Sequence, residues 1–114
     1  MAQYWDPEET RVALKVDDRT EDFTIAPTTR VLEPGGVVRW ASEDGPFVIH
    51  FNHRTPVGRV VIHSRLEGTV HEAHARIEED TRPGVYEYAI AISKGDQVFI
   101  HVSGEVRIER PRGG

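Results

Sequence analysis

The sequence predicts an all-β fold, specifically an antiparallel Greek-key β-sandwich of about seven to eight strands. Short apolar alternations, separated by turns rich in glycine, proline and aspartate, run through the chain, and this period of two is typical of half-buried strands. No segment keeps an apolar stripe at helical spacing over several turns. The turns recur about every eight to twelve residues, which is the spacing that a sandwich requires.

The first part of the chain contains four expected strands. Residues 11–16 alternate apolar with polar side chains, and a short strand follows after an aspartate-rich turn. The inward side chains of these two strands are Val12, Leu14, Val16, Phe23 and Ile25. Residues 29–32 lead into the turn at 34–36, whose glycines permit positive φ. Residues 37–40 then resume an extended conformation, with Trp40 on the core side.

The middle of the chain predicts three more strands. Residues 47–51 are apolar except for His50, which suits a central strand covered on both faces. Residues 58–66 form the next predicted strand. Its core side carries Val60, Ile62 and Leu66, and its other side carries Arg59, His63 and Arg65. Residues 69–77 combine helix formers with alternation; we predict a strand, and a helix is the alternative.

The alternation in the last part of the chain predicts a long hairpin. The inward side chains of its first strand are Tyr86, Tyr88, Ile90 and Ile92. Residues 97–102 and 105–109 form the returning strand, and Ser103 and Gly104 between them indicate a bulge. Phe99 and His101 share one side of that strand. We expect this side to face away from the core and to form an exposed patch.

The composition argues against several functions. The chain has no cysteine, which excludes disulfides, thiolate metal sites and thiol nucleophiles. Its formal net charge of −5 argues against nucleic acid or an anionic membrane as the partner. No stretch approaches the roughly 20 apolar residues of a membrane-spanning helix, and the first residues lack a secretory signal. We therefore expect a cytoplasmic protein, and the mature form of a secreted protein is the alternative.

The length of 114 residues fits one domain with its own core. We expect residues 10–110 to form that domain, with residues 1–9 and 111–114 as flexible ends. Exposed edge strands of a sandwich can pair between copies, so a homo-oligomer is a candidate state.

Two stretches resemble the cupredoxins, the β-sandwich family of plastocyanins and azurins. The first, LEPGGVVRWASEDGPFVIHF at residues 32–51, is similar to the family's Pro-Gly turn, Val-x-Trp strand, loop and ligand strand. The second, RPGVYEYAIAISKGDQVFIHVSGEVRIE at residues 82–109, resembles the closing pair of strands around the family's ligand loop. The resemblance implies a cupredoxin-like topology.

The resemblance also implies copper ligands that this chain lacks. The family's first histidine falls on Phe47, its cysteine on Ile90 and its second histidine near Ser93, while the single methionine is Met1. A His₂Cys set is what copper electron transfer uses. We therefore expect a cupredoxin-like domain without blue copper and without a cofactor, which acts as an interaction or accessory module for an unidentified protein partner.

Four histidines support an alternative hypothesis, a protein that binds zinc, copper or nickel. His50, His53, His71 and His74 form two His-x-x-His spacings, and imidazole is a common ligand for these metals. Residues three apart on a strand point to opposite faces. Each pair therefore converges only where the chain is helical or sharply bent.

No motif supports catalysis, because the chain contains neither a Gly-x-Ser-x-Gly elbow nor a glycine-rich phosphate loop. We expect a non-catalytic protein. The candidate interaction face consists of Arg59, His63 and Arg65, and Trp5 is a candidate aromatic anchor near the N-terminus.

Overall fold

The computed structural model describes residues 11–17 and 19–110, which form ten strands in two five-stranded sheets and no helix. The strands are β1 Arg11–Asp17, β2 Asp22–Ala26, β3 Thr29–Leu32, β4 Val37–Ser42, β5 Phe47–Phe51, β6 Val61–His63, β7 Arg65–Glu67, β8 Val70–Arg76, β9 Gly84–Lys94 and β10 Gln97–Ile108. The predicted all-β class is confirmed, with ten strands in place of seven or eight. The predicted flexible ends, residues 1–9 and 111–114, lie outside the described residues, and so does Trp5.

The two sheets have the strand orders β2-β1-β4-β8-β7 and β3-β10-β9-β5-β6. Most neighbours are antiparallel, but β1 runs parallel to β4, and β3 runs parallel to β10. The prediction of a wholly antiparallel sandwich is wrong at these two pairs. The reason is that the chain leaves the first sheet after β2 and returns to it after β3, so β4 becomes a neighbour of β1 and β3 a neighbour of β10. Among the described residues there is no helix of the length and apolar character that a membrane span needs.

The core is centred on an aromatic contact between the two sheets. Trp40 of β4 and Tyr88 of β9 have ring centroids 5.6 Å apart in an edge-to-face arrangement, and Phe51 lies 5.6 Å from Tyr88. Such pairs contribute about 0.5–1.5 kcal/mol beyond the area that they bury. Burial raises the pKa of Tyr88 to about 12, against smaller opposing effects of Trp40 and Arg30. The predicted inward alternation of residues 86–92 is confirmed.

The predicted bulge in the last strand is confirmed and has a clear cause. The pairing of β10 with β9 shifts its register between His101 and Gly104. Gly104 is buried, and a Cβ at this position would lie 2.4 Å from Cε1 of Tyr88. The backbone of β10 therefore rests directly on the Tyr88 ring, and only glycine permits that approach.

The predicted strand at residues 58–66 is wrong. Two three-residue strands replace it: β6 belongs to the second sheet and β7 to the first, with Ser64 between them. Ile62 is buried as expected, but Val60 is 48% exposed and Leu66 is 60% exposed. An alternation pattern assigns faces correctly only along one continuous strand, and here the chain changes sheets in the middle of the pattern.

Two further assignments of faces are corrected. β5 is covered on one side only, because His50 is exposed whereas its neighbours Ile49 and Phe51 are buried. On β10 the predicted patch lies on the wrong side: Phe99 packs against the core, and the His101 ring is 5.9 Å from that of Phe23. The exposed apolar residues of this strand are Val98, Ile100 and Val102, at 63%, 67% and 69% exposure.

The substitution Gly104→Ala tests the contact between β10 and Tyr88. We expect it to lower the free energy of unfolding by about 2 kcal/mol or more, because the added methyl group must displace a fully enclosed aromatic ring. Urea denaturation followed by tryptophan fluorescence measures the change. Ser103→Ala, at the exposed neighbouring position, is the control and should change stability by less than about 0.5 kcal/mol. Equal stability of the two variants would contradict the contact.

Candidate functional site

The candidate site lies at the edge of the sandwich where the chain passes from β6 to β7. Ser64 is the single residue between these strands. Its backbone N–H donates to the carbonyl oxygen of Phe47 at 2.9 Å, and its Oγ accepts from the Phe47 N–H at 2.9 Å. These two hydrogen bonds fix the point at which the chain leaves the second sheet for the first.

A cavity of about 450 Å³ opens beside this crossing. Its charged and imidazole side chains come from four strands and one connecting segment. They are Arg39 on β4, Arg59 before β6, His63 on β6, Arg65 and Glu67 on β7, and Glu72 and His74 on β8. This volume lies within the range of about 300–1,000 Å³ that is usual for small-ligand sites. We call this site the arginine cavity.

The structure brings the three predicted interaction residues Arg59, His63 and Arg65 together in the arginine cavity. They do not share one strand face as expected, because β6 and β7 belong to different sheets. They converge because the crossing at Ser64 places both edge strands beside the same opening. The fourth predicted residue, Trp5, lies outside the described part of the chain.

Pairing of β8 with its two neighbours supplies the rest of the lining. Residues 69–77 contain the strand β8, as predicted, and this places Glu72 and His74 on one face. Glu72 lies opposite Arg65 of β7, and His74 lies opposite Arg39 of β4. Directly opposed residues of antiparallel strands have Cβ atoms about 4.5–5.5 Å apart. One of these two pairs therefore sets a carboxylate beside a guanidinium group, and the other sets an imidazole beside a guanidinium group.

The arginine cavity is a positive region in a negative protein. Three guanidinium groups face two carboxylates, whereas the whole chain carries a formal charge of −5. In the described part of the chain, neither Arg59 nor Arg65 forms an ion pair with a carboxylate. A guanidinium group presents a planar set of donors that matches carboxylate or phosphate oxygens. The arrangement is suited to holding an anionic group.

A second hollow of about 230 Å³ lies on the same outer face of the first sheet, with Ala13 and Ala41 in its lining. Asp44 at its margin accepts a hydrogen bond from the Val16 N–H at 2.8 Å and lies 3.1 Å from the Lys94 ammonium. Burial alone would raise the pKa of Asp44, but the Val16 and Lys94 interactions outweigh it and lower that pKa below its ordinary value of 3.8. Asp44 is therefore a charged anchor that ties the loop after β4 to Val16 of β1 and to Lys94 of β9.

The structure separates the four histidines of the metal hypothesis. His50 is exposed on β5 of the second sheet, and His53 follows that strand. His71 and His74 lie on β8 of the first sheet, three residues apart and hence on opposite faces. Within residues 11–17 and 19–110, no group of three or more histidines or carboxylates is arranged to hold a metal ion.

The positions at which the resemblance to cupredoxins would place copper ligands, Phe47, Ile90 and Ser93, lie on neighbouring strands of the second sheet. Phe47 is paired with Ile92, Ile49 with Ile90, and the Ser93 N–H donates to the Pro46 carbonyl oxygen at 2.9 Å. Phe47 and Ile90 are 4% and 1% exposed. A Cβ on Gly45 would lie 1.7 Å from the Ser93 carbonyl oxygen, so the backbone of the loop after β4 directly contacts the backbone of β9.

Sequence reasoning missed three of the cavity residues, Arg39, Glu67 and Glu72, and it assigned His74 only to a metal. The alternation around Trp40 does place Arg39 on the outer face of β4. No sequence feature indicates that β4 pairs with β8, and this pairing is what brings Arg39 beside His74.

The sequence matches no protein-family model and no curated protein.

Asp44→Asn tests the anchor at the second hollow. We expect it to lower the free energy of unfolding at pH 7 by about 1 kcal/mol, because an amide loses the charge-assisted bonds to Lys94 and Val16. The pKa of Asp44 is lower in the folded state than its ordinary value, so its contribution is present above the ordinary value and is lost as the pH falls from there through the pKa of the folded state. The difference between wild type and variant should therefore shrink below about pH 4.

Urea denaturation at pH 7 and at pH 3 measures that difference. Glu43→Gln, at the exposed neighbouring position, is the matched control and should change stability by less than about 0.5 kcal/mol at either pH. A loss in Asp44→Asn that is the same at both pH values would contradict the electrostatic account.

Proposed function

We propose that this protein is a non-catalytic, cupredoxin-like binding domain without a blue-copper centre, and that it holds an anionic partner in the arginine cavity. The observation that carries the proposal is the convergence of Arg39, Arg59 and Arg65 with two histidines on one opening of about 450 Å³. Long cationic side chains repel one another and cost conformational entropy when they are gathered. Their convergence from two strands and a connecting segment is best explained by an anion that they bind together.

The strand pairing supports the cupredoxin-like part of the proposal. The two stretches that carry the resemblance contain β4, β5, β9 and β10, and β5 pairs with β9. The Tyr86 hydroxyl donates to the Arg82 carbonyl oxygen at 2.7 Å, just before β9. A tyrosine that bonds back to the chain a few residues upstream is a feature of Greek-key sandwiches. These contacts favour a Greek-key topology.

The filled ligand positions support the view that copper chemistry is not the function. The side chains at Phe47 and Ile90 are buried hydrocarbon, and copper needs imidazole and thiolate there. The close approach of Gly45 to Ser93 leaves no room for a side chain between the loop after β4 and β9. The end of the sandwich that resembles a copper site is therefore used for packing, and the recognition surface lies elsewhere, at the arginine cavity.

Binding of small anions tests the proposal. Glutarate and inorganic phosphate are titrated into the protein at fixed ionic strength, and amide chemical shifts are followed by NMR. We expect saturable shifts for residues of β6, β7 and β8. The double variant Arg59→Gln/Arg65→Gln should weaken binding about tenfold or more, because it removes two charge-assisted donors.

The matched control is Arg82→Gln/Arg107→Gln, which makes the same change in charge at two exposed arginines outside the cavity. It should bind the anions like wild type. Shifts that are spread over the whole protein, or a loss of binding that is equal in the two double variants, would reject the arginine cavity as the binding site.

A titration with zinc, copper and nickel separates this function from the metal-binding alternative. We expect weak binding at several sites and no rise in melting temperature, because the described histidines do not converge with other ligands. One tight equivalent that raises the melting temperature, and that is lost in His50→Ala/His71→Ala, would replace the proposal with a metalloprotein.

A further inference from the structure

The outer face of the first sheet carries a groove that runs across its strands. Ala26, Ala13 and Ala41 lie directly beside one another on β2, β1 and β4. Methyl side chains leave a depression between longer neighbours, and Ala41 is only 3% exposed at its bottom. We call these three residues the alanine floor. The cross-strand neighbour of Ala41 is Glu72 of the arginine cavity, so the second hollow and the arginine cavity follow one another along a single line.

One side of this groove is basic. Arg11, Arg39 and His74 are cross-strand neighbours on β1, β4 and β8, one strand spacing of about 4.8 Å apart. Arg11 and Arg39 each precede an alanine of the floor by two residues, so they stand on the same face. We call these three residues the basic row. It leads directly into the arginine cavity, whose lining already includes Arg39 and His74.

The opposite side of the groove is mixed in charge. The residues two positions beyond the floor are Lys15 on β1 and Glu43 after β4, and Val70 and Glu67 continue this side on β8 and β7. The two sides of the groove therefore differ in charge. A ligand with negative charge on both sides would meet Glu43 and Glu67, whereas a ligand with negative charge on one side only would avoid them.

We propose, resting on the function proposed above, that the anionic partner is an extended acidic polypeptide segment that lies along the alanine floor. Successive side chains of an extended chain point to opposite sides. Acidic residues at alternate positions then face the basic row, and one carboxylate at the end of the segment enters the arginine cavity. The five strands of the sheet, three with the alanine floor and two with Glu72 and Arg65 of the arginine cavity, span about 19 Å. This length matches about six extended residues of roughly 3.3 Å each.

A polypeptide fits this groove better than a nucleic acid. A phosphate backbone carries its charges at close intervals and would bring some of them against Glu43 and Glu67, in a protein of net charge −5. Over β2, β1 and β4 the alanine floor also allows a polypeptide backbone to approach the sheet closely, since the residues on this line carry only methyl groups. On β8 and β7 the same line continues with Glu72 and Arg65 of the arginine cavity. Charge complementarity along one side thus selects an acidic segment with spaced carboxylates.

The experiment measures, by fluorescence anisotropy, how tightly the protein binds each of two fluorescent peptides of equal composition. One peptide, AEAEAEA, spaces its three glutamates at alternate positions, and the other, AAEEEAA, groups them. Glutarate serves as the small-anion probe. We expect the alternating peptide to bind about tenfold more tightly than either the grouped peptide or glutarate, since only it meets the whole basic row.

Arg11→Gln is the decisive variant, because Arg11 belongs to the basic row but lies outside the arginine cavity. We expect it to weaken the alternating peptide about threefold while leaving glutarate binding unchanged. Lys15→Gln is the matched control on the same strand and face, at the mixed side of the groove, and it should have the smaller effect. Melting temperatures of both variants show whether they are folded.

The outcomes separate this inference from the proposed function. If glutarate binding depends on Arg59 and Arg65 but the alternating peptide binds no better than glutarate, the extended segment is wrong and the arginine cavity stands. If neither probe binds, both proposals fail. Tighter binding of a single-stranded oligonucleotide of equal charge would overturn the polypeptide assignment. The variant Asp6→Asn/Glu8→Gln/Glu9→Gln removes three acidic charges near the N-terminus. If the peptide binds only to this variant, the groove belongs to the chain's own N-terminal residues, and the polypeptide-partner assignment is overturned.

Discussion

The contact between Trp40 and Tyr88 is the constraint on which the other features depend. It joins the two sheets through their fully buried rings, and it fixes which face of β4 points inward. Because strand side chains alternate, inward Trp40 requires that Arg39 and Ala41 point outward. The contact has a cost, since neither the indole N–H nor the Tyr88 hydroxyl makes a hydrogen bond of good geometry, although the two groups are close enough for Trp40 to lower the pKa of Tyr88 against the effect of burial. Burial of the large aromatic surfaces offsets it.

The crossing of the chain at Ser64 brings outward-facing side chains of the two sheets together at one site. In a sandwich whose chain does not cross between neighbouring edge strands, the outer faces are flat and the edges of the two sheets stay separate. Here the chain uses two three-residue strands to move from the edge of one sheet to the edge of the other. The edges are therefore joined at one corner, and side chains from both sheets, such as His63 and Arg65, surround a common opening. The opening exists because the connection is too short to cover it.

Much of the fold could be predicted from the sequence where one strand is long enough to show its period. The inward residues of β1 and β9, the strand β8 and the bulge at Gly104 follow from alternation and turn residues alone. The split between β6 and β7 could not be predicted, since three residues show no period. The sequence prediction assigned the two faces of β10 the wrong way round, because alternation defines two sides of a strand without indicating which of them meets the core. Aromatic Phe99 belongs to the covered side and β-branched Ile100 to the open side.

The candidate site was accessible to sequence reasoning only in part. Arg59, His63 and Arg65 attract attention as alternating polar residues within nine positions of one another, and they do share the cavity. Arg39 and Glu72 enter it through pairings between strands that are about thirty residues apart in sequence, and no local pattern encodes such pairings. The four histidines show the opposite case. Their regular spacing indicates a common site, but the strand geometry of β8 directs His71 and His74 to different faces.

The open face of β10 has a consequence for the protein at high concentration. Its row of Val98, Ile100 and Val102 is the least covered apolar surface of the described chain, and β3 pairs only with residues 105–108 of the same strand. Apolar edges of this kind are templates for strands of other copies. Mutual repulsion from a net charge of −5 keeps copies apart in neutral, dilute buffer. Lowering the pH toward the isoelectric point removes that repulsion, so the colloidal stability of the protein declines there.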